Sequence, residues 1–152
     1  MIARMILIAV VCYCPLQVLA GGYKVTHFVE DKVFQGTTLL ADMSNSKRPK
    51  VVEVDFKGTI LWKFIPLQSM SGAVLDAAKL QNGNILITVH GSGIYEINRE
   101  HKVVWKHKDS EASHDADRLP NGNTLYNLGW QDKGKDVVRE VDSDGTVVWS
   151  WN

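Results

Sequence analysis

Tryptophan stands at positions 62, 105 and 149, which are 43 and 44 residues apart, and each closes a segment of one pattern. The segments read VEVDFKGTILW (Val52 to Trp62), YEINREHKVVW (Tyr95 to Trp105) and REVDSDGTVVW (Arg139 to Trp149). Each holds an acidic residue (Glu53, Glu96, Glu140), an aliphatic (Val54, Ile97, Val141) and an Asp or Asn (Asp55, Asn98, Asp142), then two aliphatics before Trp. A second unit interleaves with the first. Leu75 to Ile87 reads LDAAKLQNGNILI, His114 to Tyr126 reads HDADRLPNGNTLY, and Gly36 to Leu40, GTTLL, is a shorter copy. Two patterns interleaved in one order make a tandem repeat, whose units must bury their apolar sides against neighbouring units.

The units predict β-hairpins. Asn82-Gly83 and Asn121-Gly122 sit between apolar-rich flanks, and Asn-Gly suits the two-residue turn that needs positive φ twice. Lys57-Gly58 and Asp144-Gly145 take the matching turn of the other unit, and Glu100-His101 replaces it in the middle copy, which predicts a less regular turn there. Val, Ile, Thr, Trp and Tyr dominate the flanks, as half-buried strands prefer. The alanine-rich stretch Gly72 to Leu80 matches His114 to Leu119 and so reads as strand. Two hairpins per repeat give four strands in about 40 to 45 residues, the size of a propeller blade. The expected fold is all-β, with β-propeller-type repeats in about three four-stranded antiparallel blades, roughly 23–65, 66–108 and 109–152, forming one partial propeller domain over 21–152. The recurring tryptophans are expected to pack between blades. Known propellers close with at least about four blades. Three would leave open sheet edges, so the expectation is either association into a homo-oligomer or a truncated fragment of a larger propeller.

Residues 1–20 are of another kind. One charge, Arg4, precedes an apolar run from Met5 to Cys14, Pro15 breaks it, and Val18-Leu19-Ala20 precedes Gly21-Gly22. This is the layout of a secretory signal peptide cut after Ala20; the run is short of the roughly twenty apolar residues a membrane span needs. The chain is therefore expected to be secreted or periplasmic, with no membrane association after cleavage. Both cysteines, Cys12 and Cys14, leave with the signal, so packing or association must hold the rest without disulfides. Seventeen Lys and Arg balance seventeen Asp and Glu. That gives no basic face, and nucleic acid is not an expected partner.

The LPNGNTL core (Leu119 to Leu125), preceded by His114-Asp115, resembles the arylsulfotransferase family of secreted β-propellers. The hairpin from Asp144 to Trp149 and the strand Gly36 to Leu40 are similar to the same family's repeat, and the resemblance covers nearly all of residues 33–152. It implies a propeller with a central channel, in which a histidine takes sulfate from an aryl sulfate ester and passes it to a phenol without a cofactor. The partner would be a small aromatic sulfate ester or phenol. The family's His-Asp motif falls on His114 and Asp115. Further channel histidines and arginines are implied from other blades, of which this chain supplies about half. The alternative is a non-catalytic binding or interaction module that kept the scaffold.

His114 is the candidate nucleophile, because imidazole is nucleophilic at neutral pH and can carry a transferred group. Its counterpart in the preceding repeat is Leu75; the competing reading is an ordinary strand-edge histidine. Asp115 recurs as Asp76, which favours a scaffold role over orienting His114. Arg118 lies four residues on, on the same face of a regular strand, where its guanidinium fork suits a sulfate oxygen. The competing reading is a solvated basic position, since its counterpart is Lys79. His90 is either channel-lining or a loop residue, and Trp130, beside Gly129 in a variable loop, is a candidate ligand contact. His27, His101 and His107 show no metal-ligand spacing, and no His-x-Glu motif or Asp-rich calcium loop occurs, so no metal site is expected.

Overall fold

A computed structural model of the chain describes residues 22–129 and 135–152. The expected signal peptide lies outside these residues. All regular structure in the described part is β, in eleven strands. The first sheet contains β1 (Thr37–Asp42), β2 (Lys50–Asp55) and β3 (Ile60–Phe64). The second contains β4 (Val74–Lys79), β5 (Ile85–Val89), β6 (Gly93–Ile97) and β7 (Val103–His107). The third contains β8 (Ala112–Arg118), β9 (Thr124–Leu128), β10 (Val138–Val141) and β11 (Val147–Trp151). Each sheet is an antiparallel meander in chain order. The alanine-rich stretch is strand β4, as its repeat match predicts.

The first sheet departs from the expected four strands. Its β1, β2 and β3 correspond to the last three strands of the other two sheets. The stretch that would supply a strand ahead of β1 instead coils, with the amides of Lys32 and Val33 both bonded to the Val29 carbonyl. The charged run Glu30-Asp31-Lys32 lacks the alternation a strand needs to bury one face. The chain ahead of it lies back on the sheet: Gly22 bridges Thr59, and Tyr23 donates to Asp42 and packs against the buried Val52, Val54 and Ile60.

The hairpin turns correct a second expectation. At Asn82-Gly83 only the glycine has positive φ (83°). The Leu80 amide reaches the Asn84 carbonyl and the Gly83 amide the Leu80 carbonyl, which makes a three-residue loop ending in a left-handed residue. Asn82 stays right-handed because its side-chain oxygen accepts the Asn84 amide. The Glu100-His101 turn also proves as regular as its counterparts. Asn98 accepts the His101 amide on its carbonyl and the Lys102 amide on its side chain, as Asp55 and Asp142 do in their own turns. His101 takes the left-handed conformation (φ 65°) that the others give to glycine.

The sheets stack through two apolar seams. Val51, Trp62, Phe64 and Met70 meet Val74, Ile85, Ile87, Val89, Tyr95 and Ile97 between the first and second sheets. Leu86 and Ile94 meet Ala112, Ala116, Tyr126, Leu128 and Val141 between the second and third. One latch recurs at both seams. Trp62 donates its indole N–H to the Arg99 carbonyl in the next sheet's last turn (3.1 Å), and Trp105 does the same to Ser143 (2.8 Å). The repeated glutamate takes a cation from the next sheet, Glu53 from Lys79 and Arg99, Glu96 from Arg118. Those contacts, with Thr37, hold the Glu53 carboxyl down at about 2 against the raising effect of its burial. Trp149, the third of the series, is half exposed.

Candidate functional site

The second and third sheets differ where β8 begins. In β4, Val74 to Ala77 spans Val89 to Ile87 on β5, leaving Leu75 unpaired. In β8, Ala112 to Ala116 spans Leu128 to Tyr126 on β9, one residue more, and both His114 and Asp115 are unpaired. The wider bulge puts His114 at φ 54°, a left-handed conformation that a side chain with a Cβ adopts only at a cost. The ring is exposed. Its Nδ1 lies 2.6 Å from the Oγ of Ser113, a residue 1% exposed. The amide of Asp115, freed by the bulge, donates to the side-chain oxygen of Asn127 at 3.1 Å.

The bulge overturns the placement of Arg118 on one regular strand face with His114. Arg118 lies beyond the bulge, paired with Thr124, and its guanidinium turns to the seam. It pairs with Glu96 at 2.9 Å, donates to the Gly122 carbonyl and lies over the Trp105 ring, 4.3 Å from its centroid. A cleft of about 520 Å³ opens beside it, lined by Lys79, Asn82, Asp117 and Pro120 among others, at the opposite end of β8 from His114. A smaller cleft of about 140 Å³ adjoins the bulge, lined by Asp115, Asp117, Leu125, Asn127 and Val138. Of the two, the smaller touches the bulge that carries His114.

His90 sits in the β5–β6 turn, exposed, with its amide on the Ala73 carbonyl. The next amide, Gly91, points to the Ala112 carbonyl at 3.4 Å, so His90 and His114 occupy the same end of the sheets. Trp130 lies outside the described residues. Around His114 the charge is negative. Asp115 and Asp117 are exposed on β8, and burial together with these two neighbours pushes the Asp76 carboxyl on β4 up to about 6. The Asp115 amide is satisfied by Asn127 and its carboxylate lies against Asp76, while the His114 ring bonds to Ser113.

A second polar group at the seam escapes sequence reasoning. Tyr126, almost fully buried, donates to Asp109 at 2.7 Å and lies 3.2 Å from Nε2 of His107. Arg139 pairs with Asp109, Glu111 and Asp136. Burial and the Asp109 bond push the Tyr126 phenol well up, and burial pushes the His107 imidazole down. Burial also raises Asp109, but the Tyr126 hydrogen bond, the Glu111 amide and Arg139 outweigh it and hold the carboxyl low. The signal was in the repeat: Tyr126, Arg139 and His107 replace Ile87, Tyr95 and Phe64 of the preceding units. These groups are mutually satisfied, and Tyr126 pairs with Ala116, the first residue past the bulge. They brace the strand that carries His114.

Among the described residues, no group of three or more His, Cys, Asp or Glu is arranged to hold a metal ion. What the site offers is one exposed imidazole, displayed on a strained bulge and held through its inner nitrogen.

Comparison with known proteins gives this arrangement a context. The family model described as arylsulfotransferase matches residues 23–152. The chain, built of repeated antiparallel sheets, belongs to the arylsulfotransferase family. No curated protein matches it. Among solved structures it is similar to a protein of unknown function from Bacteroides caccae, with 19% identity and a TM-score of 0.45. That match covers 76% of this chain, which spans 62% of the other protein's length.

Proposed function

We propose that the chain takes part in sulfate-group transfer from an aryl sulfate ester to a phenol, with His114 as the nucleophile. The observation that carries the reading is the bulge. The second sheet manages the same turn of chain with one residue fewer, so the scaffold does not require the strain at His114, and unneeded backbone strain points to a function. Family membership supplies the chemistry. The lone pair of the imidazole attacks sulfur, the S–O ester bond breaks, and the aryl oxygen departs and takes up a proton. The phenol oxygen then attacks the same sulfur, the N–S bond breaks, and the phenol proton is released to solvent or a base.

His90 is proposed to contact the aryl substrate, since it belongs to the end of the sheets that displays His114, and Trp130 is proposed as a further aryl contact on its residue type alone. Arg118 is assigned to the seam instead, given its bonds to Glu96 and Gly122. The negative charge of the transferring group therefore calls for cations outside this neighbourhood. A propeller arrangement of the sheets, export, and association with a second copy complete the reading. The test is turnover of an aromatic sulfate ester by the purified protein, alone and with a phenol. His114→Asn is expected to reduce turnover at least a hundredfold; unchanged turnover removes His114 from the role. The carboxylates Asp76, Asp115 and Asp117 favour a second reading, a binding module without turnover. Binding of a phenol with no sulfate ester cleaved would support it.

A further inference from the structure

We propose that Ser113 is a positioning residue that fixes the tautomer and direction of the His114 ring, a proposal that rests on the reading of His114 as nucleophile. Relative to β4, strand β8 contains one additional residue between its paired positions, and Ser113 stands in that longer path. Its side chain is buried at 1% exposure, yet it is a hydroxyl, and the bond that satisfies it is the 2.6 Å contact to His114 Nδ1.

A neutral imidazole carries one proton. Whichever nitrogen holds it is not nucleophilic, and the partner of the other nitrogen decides the tautomer. The Ser113–His114 contact permits either direction, since a hydroxyl both donates and accepts. An exposed, attacking Nε2 requires the proton on Nδ1, with Nδ1–H donating to Ser113 Oγ. The free imidazole ring in water prefers the opposite tautomer, so the protein must bias it. The left-handed backbone at His114 and the Asn127 bond to the following amide set where the ring lies, and the buried Ser113 hydroxyl on its inner side is the group that sets the proton by accepting from Nδ1–H. Sulfuryl transfer to Nε2 leaves Nδ1–H on Ser113 throughout, so the ring need not reorient between the two half-reactions.

The test is long-range nitrogen-15 NMR on the uniformly labelled protein, at a pH where His114 is neutral, with His114→Asn used to assign the signals. The expected result is a protonated Nδ1 and an unprotonated Nε2 for His114. Ser113→Ala should move the ring toward the Nε2–H tautomer and lower kcat on an aromatic sulfate ester about tenfold with KM little changed. Ser113→Thr, which keeps a hydroxyl, should restore both. A native ring already in the Nε2–H form overturns the proposal, and this measurement needs no variant to fold. So does a ring whose tautomer is indifferent to Ser113→Ala. If the native ring is Nδ1–H and responds to Ser113 but no ester is turned over, the positioning stands and the assignment of sulfate transfer fails instead.

Discussion

Single residues in the turns decide how much strain each hairpin carries. Gly58 and Gly83 hold the same left-handed conformation (φ 85° and 83°), but their surroundings differ. A Cβ on Gly83 meets nothing within 4 Å, whereas one on Gly58 would lie 2.1 Å from the Tyr23 carbonyl oxygen, a backbone atom that cannot turn aside. Gly83→Ala should therefore cost only the conformational penalty, about 1 kcal/mol. Gly58→Ala should cost more than about 2 kcal/mol, because the clash also lifts the N-terminal stretch off the first sheet. Urea unfolding midpoints for the two variants check the order. Titration belongs to the same scale. The Asp76 carboxyl, at about 6 in the fold against its ordinary 3.8, keeps a proton that the unfolded chain releases. Stability from this group is complete below about pH 4 and is lost as pH rises through 6. Half-burial screens the effect, so its size should be about 1 kcal/mol. Asp76→Asn should flatten unfolding free energy measured between pH 4 and 7, and an unchanged slope would count against the raised Asp76 carboxyl.

Among the elements, the third and fourth strands of each unit are where sequence and structure agree best. The Glu-aliphatic-Asp segment and its closing Trp proved to be one hairpin used three times, with its register shift at the same glutamate in every sheet. The pattern was legible because apolar periodicity, turn residues and the latch all act within a dozen residues. Sheet edges and bulges were not. The missing strand before β1 depends on a charged run whose alternative, a coil bonded to Val29, has no sequence signature. The extra residue in β8 is hidden because the HDAD and LDAA strings align without a gap, although their pairing partners do not. The regular-strand condition that placed Arg118 on one face with His114 fails for that reason. The latch can be tested at this scale. Trp62→Phe keeps most of the packing but loses the bond to Arg99, and should cost about 1 kcal/mol. Trp149→Phe, on the half-exposed strand β11, should change thermal stability within about 0.5 kcal/mol.

At the scale of the whole molecule, the third sheet leaves apolar side chains of its last strand exposed. It repeats the glutamate and tryptophan of the two internal seams, with Glu140 bonded to Asn121 and Asn123 of its own sheet and Val147, Val148, Trp149 and Trp151 exposed. The opposite end presents Val25, Phe28 and Phe34, also exposed, beside Lys24 and Lys32. A second copy docked head to tail would cover apolar surface at both ends. Sedimentation at increasing concentration should reveal self-association that Trp149→Glu abolishes; a monomer throughout removes the second copy from consideration. The latches also give unfolding a direction. The first and second sheets are each fastened by an indole reaching forward into the next, so the middle sheet is gripped on both sides and the third only from behind. Amide exchange with deuterated water should accordingly be fastest in β11, slower through β9, and slowest in β5 and β6, a gradient that would show the chain fraying from its C-terminal sheet inward.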